Sequence, residues 1–346
     1  MKAGLNKILI ILGLASAALL TGCERPPIDA KQNGFRGTAM VEINNPRTQE
    51  KLAAENIVPV SVAASPDGPK ASAVYKNVKV LGNLSEAQFT SFMVAMTAWI
   101  APNEGCGYCH NVQNFADDSV YTKNVSRTMI QMTQNINSNW NAHVKDTGVT
   151  CYTCHRGNAV PKEIWFDTAE KKKGGMLGNR NNQNMPSPAV GYTSLPNQPF
   201  SSYFLAGKDA ARITGPTALP TGHVKTIQET ESVFGVMTHL SNALGVNCTY
   251  CHNSRAFADW TESPPQRAQA WHGIQMVKDV NSNYIVPITS IFPPNRLGPD
   301  GDVAKANCAT CHQGVNKPLL GKSMLKDYPY LVGPPTGKPL AVAQKK

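Results

Sequence analysis

The pentapeptide Cys-x-x-Cys-His occurs four times in this chain and takes up eight of its nine cysteines. The copies are Cys106-Gly-Tyr-Cys109-His110, Cys151-Tyr-Thr-Cys154-His155, Cys248-Thr-Tyr-Cys251-His252 and Cys308-Ala-Thr-Cys311-His312. This spacing is the attachment signature of c-type haem. Two thiols add across the two vinyl groups of one porphyrin, and the histidine that follows offers its imidazole to iron as the fifth ligand. The spacing is tight because one short turn must reach both vinyl edges and the metal. A disulfide framework would not set a histidine after every second cysteine. A zinc ribbon uses two Cys-x-x-Cys pairs for one metal and no adjacent histidine. A thioredoxin-type motif would occur once, beside a strand–helix–strand pattern. The repetition therefore predicts four covalently bound c-type haems.

The ninth cysteine has a different setting. Lys2 and Lys7 precede a 13-residue apolar run, Ile8 to Leu20, and then Leu20-Thr21-Gly22-Cys23. A positive start, a short apolar core and small residues before a cut describe a secretory signal over residues 1–22. Leu-Thr-Gly-Cys resembles the bacterial lipobox, in which the cysteine, here Cys23, becomes a lipidated N-terminus. An uncleaved membrane anchor is the competing reading, but a span needs roughly 20 residues. Acyl chains on Cys23 predict a protein held at the periplasmic face of the bacterial inner membrane. Export also fits the haem, which is attached on that side. No other segment reads as a bilayer span.

The formal charge is +10 and falls to +8 once Lys2 and Lys7 leave with residues 1–22. Eight haem propionates would bring the holoprotein close to neutral, so the basicity does not point to nucleic acid. Some Lys and Arg serve more simply as propionate partners. Aromatics are 7 per cent, with Gly 27 and Pro 25, which suits a core made largely of porphyrin with long irregular connections.

The chain also repeats itself. Cys106 to Asp117 matches Cys248 to Asp259 at an offset of 142. Farther on, Ile130-Gln131-Met132 and Asn137-Ser138-Asn139 match Ile274-Gln275-Met276 and Asn281-Ser282-Asn283. The pattern predicts a mainly α multihaem cytochrome c with two pseudo-symmetric haem-pair units and little strand. The expected parts are a leader (1–22), an extended N-terminal segment (23–84), a first haem-pair unit (85–160), a connector (161–225), a second unit (226–316) and a C-terminal tail (317–346). A capping box, Ser85-Glu86-Ala87-Gln88, opens a helix carrying Phe89, Phe92, Met93, Met96 and Ile100 and ended by Pro102. Further helices are expected over about 125–144, 227–244 and 266–284. The best strand candidate is Val78 to Leu81, and residues 317–346 read as an extended tail.

Each iron also needs a sixth ligand, and methionine sulfur or histidine nitrogen are the usual donors. Met93 lies 17 residues before His110, and Met237 lies 15 before His252. Each sits on the helix leading into its motif, with Met96 competing with Met93. Met129 and His143 are 14 residues apart, about 21 Å along one helix. One helix could then serve two haems, Met129 the second and His143 the fourth. Spacing does not separate Met129 from Met132, nor His143 from Met276 or His272.

Taken together, the motifs, the Cys23 setting and these spacings resemble the tetrahaem cytochrome subunit of purple bacterial photosynthetic reaction centres. The likeness includes Gly34-Phe-Arg-Gly37, Val74 to Leu84, Gly148 to Gly157 and Leu325-Lys-Asp-Tyr-Pro329. The resemblance implies three Met/His haems and one bis-His haem. Its ligands fall on Met93 with His110, Met129 with His155, Met237 with His252, and His143 with His312. It also implies an arginine near the third haem, matched by Arg267; a solvated helix charge is the plainer account of that residue.

The implied role is electron transfer without substrate chemistry. The protein would sit on the membrane-embedded core subunits and re-reduce their photo-oxidised special pair. A soluble cytochrome c or a high-potential iron–sulfur protein would supply the electrons. Glu104, Asp117 and Asp118 give some acid near the first motif but no dense patch. Two rivals are a multihaem reductase and a respiratory tetrahaem carrier. The first needs an open iron face, often with a lysine variant of the motif, and this chain has no Cys-x-x-Cys-Lys. Against the second stands the likeness of Val74 to Leu84, which binds no haem.

Overall fold

The computed structural model describes residues 29–32, 40–167, 183–206, 211 and 227–334. The expected leader, Cys23 and Gly34 to Gly37 lie outside the described residues. An antiparallel pair, Asp29–Gln32 (β1) and Val41–Asn44 (β2), opens the described chain. Two helices follow, Pro46–Glu55 (α1) and the single turn Ala71–Val74 (α2). Then comes Glu86–Ile100 (α3). Ser85 Oγ accepts from Gln88 N at 3.1 Å and the Gln88 side chain accepts from Ser85 N, so the expected capping box forms. The helix ends at Ile100, because the residue before Pro102 is steered out of helical geometry. The Val78 to Leu81 run is not a strand; Leu81 turns with φ +58°.

The second expected helix is broken. Tyr121–Asn139 (α4) stops at Trp140, and Asn141–Val144 (α5) carries His143 on a separate turn. The cause is tertiary: Trp140 Nε1 and Asn135 Nδ2 both donate to Asp279 Oδ2, each at 2.7 Å. Met129 and His143 therefore do not lie along one straight axis, and the separation expected for a continuous helix does not apply. The chain continues through Cys151–His155 (α6), Ile164–Trp165 (β3) and Phe200–Phe204 (α7). Ile227–Leu244 (α8) matches its expected span. Gln266–Asp279 (α9) passes into a wide π-type turn, Val280–Ile285. Lys305–Ala306 (β4) pairs with β3, and Cys308–His312 (α10) follows. The molecule is thus mostly helical with little strand and irregular connections.

Two apolar clusters anchor these elements. One joins Phe92 and Trp99 of α3 to Leu319, Met324, Tyr328 and Leu331. Residues 317–334 are therefore no extended tail: Tyr328 meets Trp99 edge-on with ring centroids 4.9 Å apart, and Leu331 is fully buried. The sequence hid this because these apolar residues lie on irregular turns with no period to detect. The other cluster gathers Trp165, Phe200, Tyr203 and Phe204 from the expected connector against Val236, Ile274 and Met276. Full burial of a residue such as Phe92 contributes about 1.5–3 kcal/mol.

The sequence repeat has physical content. Asn137 Nδ2 donates to Val149 O at 2.9 Å and its Oδ1 accepts from Val149 N at 2.8 Å. Asn281 does the same to Ala306, at 2.9 Å both ways. Each asparagine thus pins the chain just ahead of α6 or α10. Likewise Gly157 N donates to Trp99 O and Gly314 N to Ala243 O, both at 2.8 Å. The second contact is close enough that a Cβ on Gly245 would lie 2.2 Å from Gly314 O, so only glycine fits there.

Asn281 is fully buried and also donates to Phe204 O at 3.2 Å. Asn281→Ala should cost about 2–4 kcal/mol, because each buried group left unpaired costs roughly 1–3 kcal/mol. Asn283→Ala, which removes an exposed bond to Asp279, should stay within about 0.5 kcal/mol of the parent. Denaturant midpoints of the two variants check this contrast.

Candidate functional site

The four motifs fall into two geometries. The first and third cysteine pairs sit on tight 3₁₀ turns, Gly105–Tyr108 and Cys248–Tyr250. The second and fourth form α6 and α10, whose first turns are closed by bonds from Thr150 N to Thr153 Oγ1 (3.0 Å) and from Asn307 N to Thr310 Oγ1 (2.9 Å). In every motif the histidine Nδ1 meets a backbone carbonyl. His110 faces Phe115 O at 3.4 Å and His252 faces Phe257 O at 2.9 Å. His155 faces Asn158 O and His312 faces Val315 O, both at 2.9 Å. A carbonyl can only accept, so Nδ1 carries the proton and the neutral ring keeps its lone pair on Nε2. That is how metal-ligating histidines are held, with the far nitrogen fixed by an outer partner.

Room for a flat apolar group lies beside two of these rings. A cavity of about 660 Å³ is lined by Met93, Cys106, Cys109 and His110. A second, of about 570 Å³, is lined by Met129, Met132, Cys151, Cys154 and His155. Both fall in the range of roughly 300–1,000 Å³ typical of cofactor sites. A thioether or imidazole donor, a cysteine pair and an apolar wall together fit a covalently held haem. Cys109 and Met96 line both cavities, so the two are neighbours. Met129 and Met132 share their cavity, and the geometry leaves both in reach.

His143 meets His312 ring to ring, with centroids 6.0 Å apart and planes at 68°. His143 Nδ1 also faces a carbonyl, Gln269 O, at 2.9 Å. Of the competing positions, His272 packs edge-on against the half-exposed Trp271, and Met276 lines the cavity that the second motif shares with Cys311 of the fourth. Met237 packs on the second core cluster, while His252 stacks on Phe257 at 4.4 Å. The motif helices α6 and α10 abut. Arg156 donates to Cys311 O, Gln313 donates to Cys154 O, and the Cys154 and Cys311 Sγ atoms lie 2.6 Å apart. Burial pushes the thiols of Cys151 and Cys308 up to about 12. Burial, with His143 close by, pushes His312 down to about 4 and keeps its ring neutral.

Sequence reasoning missed two residues, and the role of a third that it had named only as acid near the first motif. Lys123 is buried on α4 and donates to Phe115 O (2.8 Å), Asp117 O (2.7 Å) and Asp118 Oδ1 (3.0 Å). It holds the loop whose Phe115 carbonyl orients His110. Arg267 does similar work in the second half, donating to Asp259 O at 2.8 Å and Ala258 O at 3.3 Å, with its guanidinium 4.1 Å over Trp260. Lys123 and Arg267 stand 144 residues apart, the offset of the helix repeat, which was the signal that could have found Lys123. Asp118 is the residue whose role was missed. Burial alone would raise its carboxyl, but bonds from Arg127, Lys79 and Lys123 hold it well below the usual carboxylate range. It is therefore committed within the chain. The other missed residue is His239, buried between Phe200 and Phe204, with Nδ1 on Ala189 O at 3.1 Å and no hydrogen-bond partner for Nε2 among the described residues.

Lys123→Met removes three buried bonds at the first motif. It should destabilise the protein by roughly 1–3 kcal/mol and speed amide exchange in residues 110–118 selectively. Exchange mass spectrometry of parent and variant would register it.

Comparison with known proteins follows the same lines. The family model described as the photosynthetic reaction centre cytochrome C subunit matches residues 24–332. The photosynthetic reaction center cytochrome c subunit of Rubrivivax gelatinosus is 54% identical over 325 residues, covering 93% of this chain and 88% of the relative. The subunit of Thermochromatium tepidum is 48% identical over 321 residues, covering 92% of this chain and 78% of the relative. That of Roseobacter denitrificans is 41% identical over 340 residues, covering 93% and 91%.

Proposed function

The chain belongs to the photosynthetic reaction centre cytochrome c subunit family, and on that premise we propose that it is a lipid-anchored periplasmic relay of four haems. Membership itself carries the coarser facts. The protein holds covalently bound c-type haem, associates with the reaction centre core at the membrane, and donates electrons to it; it is an electron-transfer subunit and not an enzyme.

The observation that carries the count of four is that every Cys-x-x-Cys-His copy presents its histidine the same way, with Nδ1 on a carbonyl. In the proposed ligand set Met93 and His110 hold the first iron, and Met129 and His155 the second. Met237 and His252 hold the third, and His143 and His312 the fourth. The facing rings of His143 and His312 support the last pair. Bound haem supplies a one-electron iron couple. The chain sets its level, because thioether ligation raises the potential relative to a second imidazole. Arg267, held by the loop carbonyls after the third motif, adds positive charge near His252.

Contacts between the sites suggest the order of the row. Cys109 and Met96 join the first cavity to the second. The α6–α10 contact joins the second motif to the fourth. The turn after α10 packs on the end of α8, which leads into the third motif. Electrons would thus run along first, second, fourth and third sites. A soluble cytochrome c or a high-potential iron–sulfur protein would refill the row. Its docking face would carry little acid near the first motif, since Asp118 is already neutralised by three cations. Among the described residues no helix is long and apolar enough to cross a membrane, and attachment is assigned to lipid on Cys23.

Flash excitation of the protein purified with its membrane partners tests the function. Haem reduced before the flash should be oxidised within microseconds; haem that stays reduced would end the proposal. For the anchor, Cys23→Ser should move the protein from the membrane to the soluble fraction while its haem content stays at four per chain, measured as the pyridine haemochrome.

A further inference from the structure

We propose that Gly273 determines the ligand type of the fourth site: by withholding a side chain, it lets the imidazole of His143 take the place where its own helix would otherwise present a methionine. This rests on His143 as the sixth ligand opposite His312.

Helix α9 repeats α4 at an offset of 144, which sets Ile130-Gln131-Met132 on Ile274-Gln275-Met276 and Asn137 on Asn281. At that offset Met129 falls on Gly273. Met132 is kept as Met276, and Met93 as Met237, so the methionine is lost at one position of the repeat and not throughout. A Cβ built on Gly273 would lie 2.6 Å from Cε1, 2.9 Å from Nδ1 and 3.1 Å from Nε2 of His143. Carbon contacts are favourable only at about 3.5–4.0 Å, and all three clashes fall on one ring. The imidazole occupies the space that a side chain at 273 would fill.

The backbone at this position does not ask for glycine. The residue sits inside the helix, where glycine is less favourable than alanine, and its φ is not positive. The same helix face grips the ring. Gln269, one turn earlier, accepts from His143 Nδ1 and donates back to His143 O, both at 2.9 Å. Residues four apart share a helix face, so Gln269 and Gly273 form one seat, the first holding the ring by its far nitrogen and the second clearing its path. The opposite wall is His312. Of the other donors of α9, Met276 lines the cavity beside the second motif and His272 packs on Trp271, while the His143 ring is the one that meets His312.

The test uses the holoprotein, read by redox titration of all haems, by electron paramagnetic resonance and by the sulfur–iron charge-transfer absorption. Gly273→Ala should displace His143, abolish the bis-imidazole signature and shift the lowest potential, leaving the other three haems unchanged. Where that variant does not fold, the pair His143→Ala with Gly273→Met relieves the clash. It should convert the fourth site to methionine ligation, adding one charge-transfer band and raising the lowest potential. A Gly273→Ala protein indistinguishable from the parent would overturn the idea, as would a four-haem double variant with no new sulfur ligand. His143→Met separates this from its premise. If it raises the lowest potential while Gly273→Ala changes nothing, only the role of Gly273 falls. If it changes no haem, the ligand assignment falls and takes this role with it.

Discussion

Each motif histidine gives its Nδ1 proton to a carbonyl three or five residues further along its own chain, and the rest of the site is arranged around that bond. The bond fixes both the tautomer and the ring plane, so the lone pair on Nε2 points one way before any metal arrives. It also divides the motifs. Where the turn is 3₁₀, as at Cys106 and Cys248, the acceptor lies five residues on, in a loop that must itself be held. Where the motif is helical, as at Cys151 and Cys308, the acceptor lies three residues on, in the turn that ends the helix. The first kind needs an outside cation on the loop, and Lys123 and Arg267 supply it. The second kind needs the chain ahead of the helix to be fixed, and Asn137 and Asn281 do that.

Polar residues therefore do much of the positioning in a protein whose interior is meant for apolar porphyrin. Lys123, Arg127, Asn137 and Asn281 are all buried, yet each has hydrogen-bond partners. Burying such groups unpaired would be costly, so their bonds define a unique arrangement. Apolar packing alone would tolerate small slips of the chain ahead of α6 and α10; two bonds from one asparagine to one backbone residue would not.

The sequence made the regular parts legible. The capping box at Ser85, the span of Ile227–Leu244 and the four motifs all rest on local pattern, and local pattern carried over. What stayed hidden depends on distant partners. Trp140 breaks its helix because its indole N–H donates to Asp279, far along the chain. Tyr328 and Leu331 enter the core from turns that show no period. Lys123 is a different case: its three acceptors are close in sequence, but only the loop's fold brings them to one ammonium. His143 was visible as a donor, but the space that receives it was not, because that space is a missing side chain on another helix.

The departures from the repeat carry as much information as the matches. A strict duplicate would give sites of equal potential in each half, and a row of equal levels gives an electron no preferred resting point. The two halves differ where charge and ligands are set. At the first motif three cations surround the single carboxylate of Asp118. At the third, Arg267 is held by carbonyls and the Trp260 ring. Beside the second motif α4 brings Met129 and Met132 to one cavity; at the position of α9 matching Met129, Gly273 leaves a gap filled by His143. Charges near a low-dielectric interior shift an oxidised centre far more than the same charges in water, and a second imidazole lowers what a thioether would raise. On the proposed ligand set, a few substitutions between the sequence repeats would make the steps unequal, while the matching bonds of Asn137 and Asn281 stay the same.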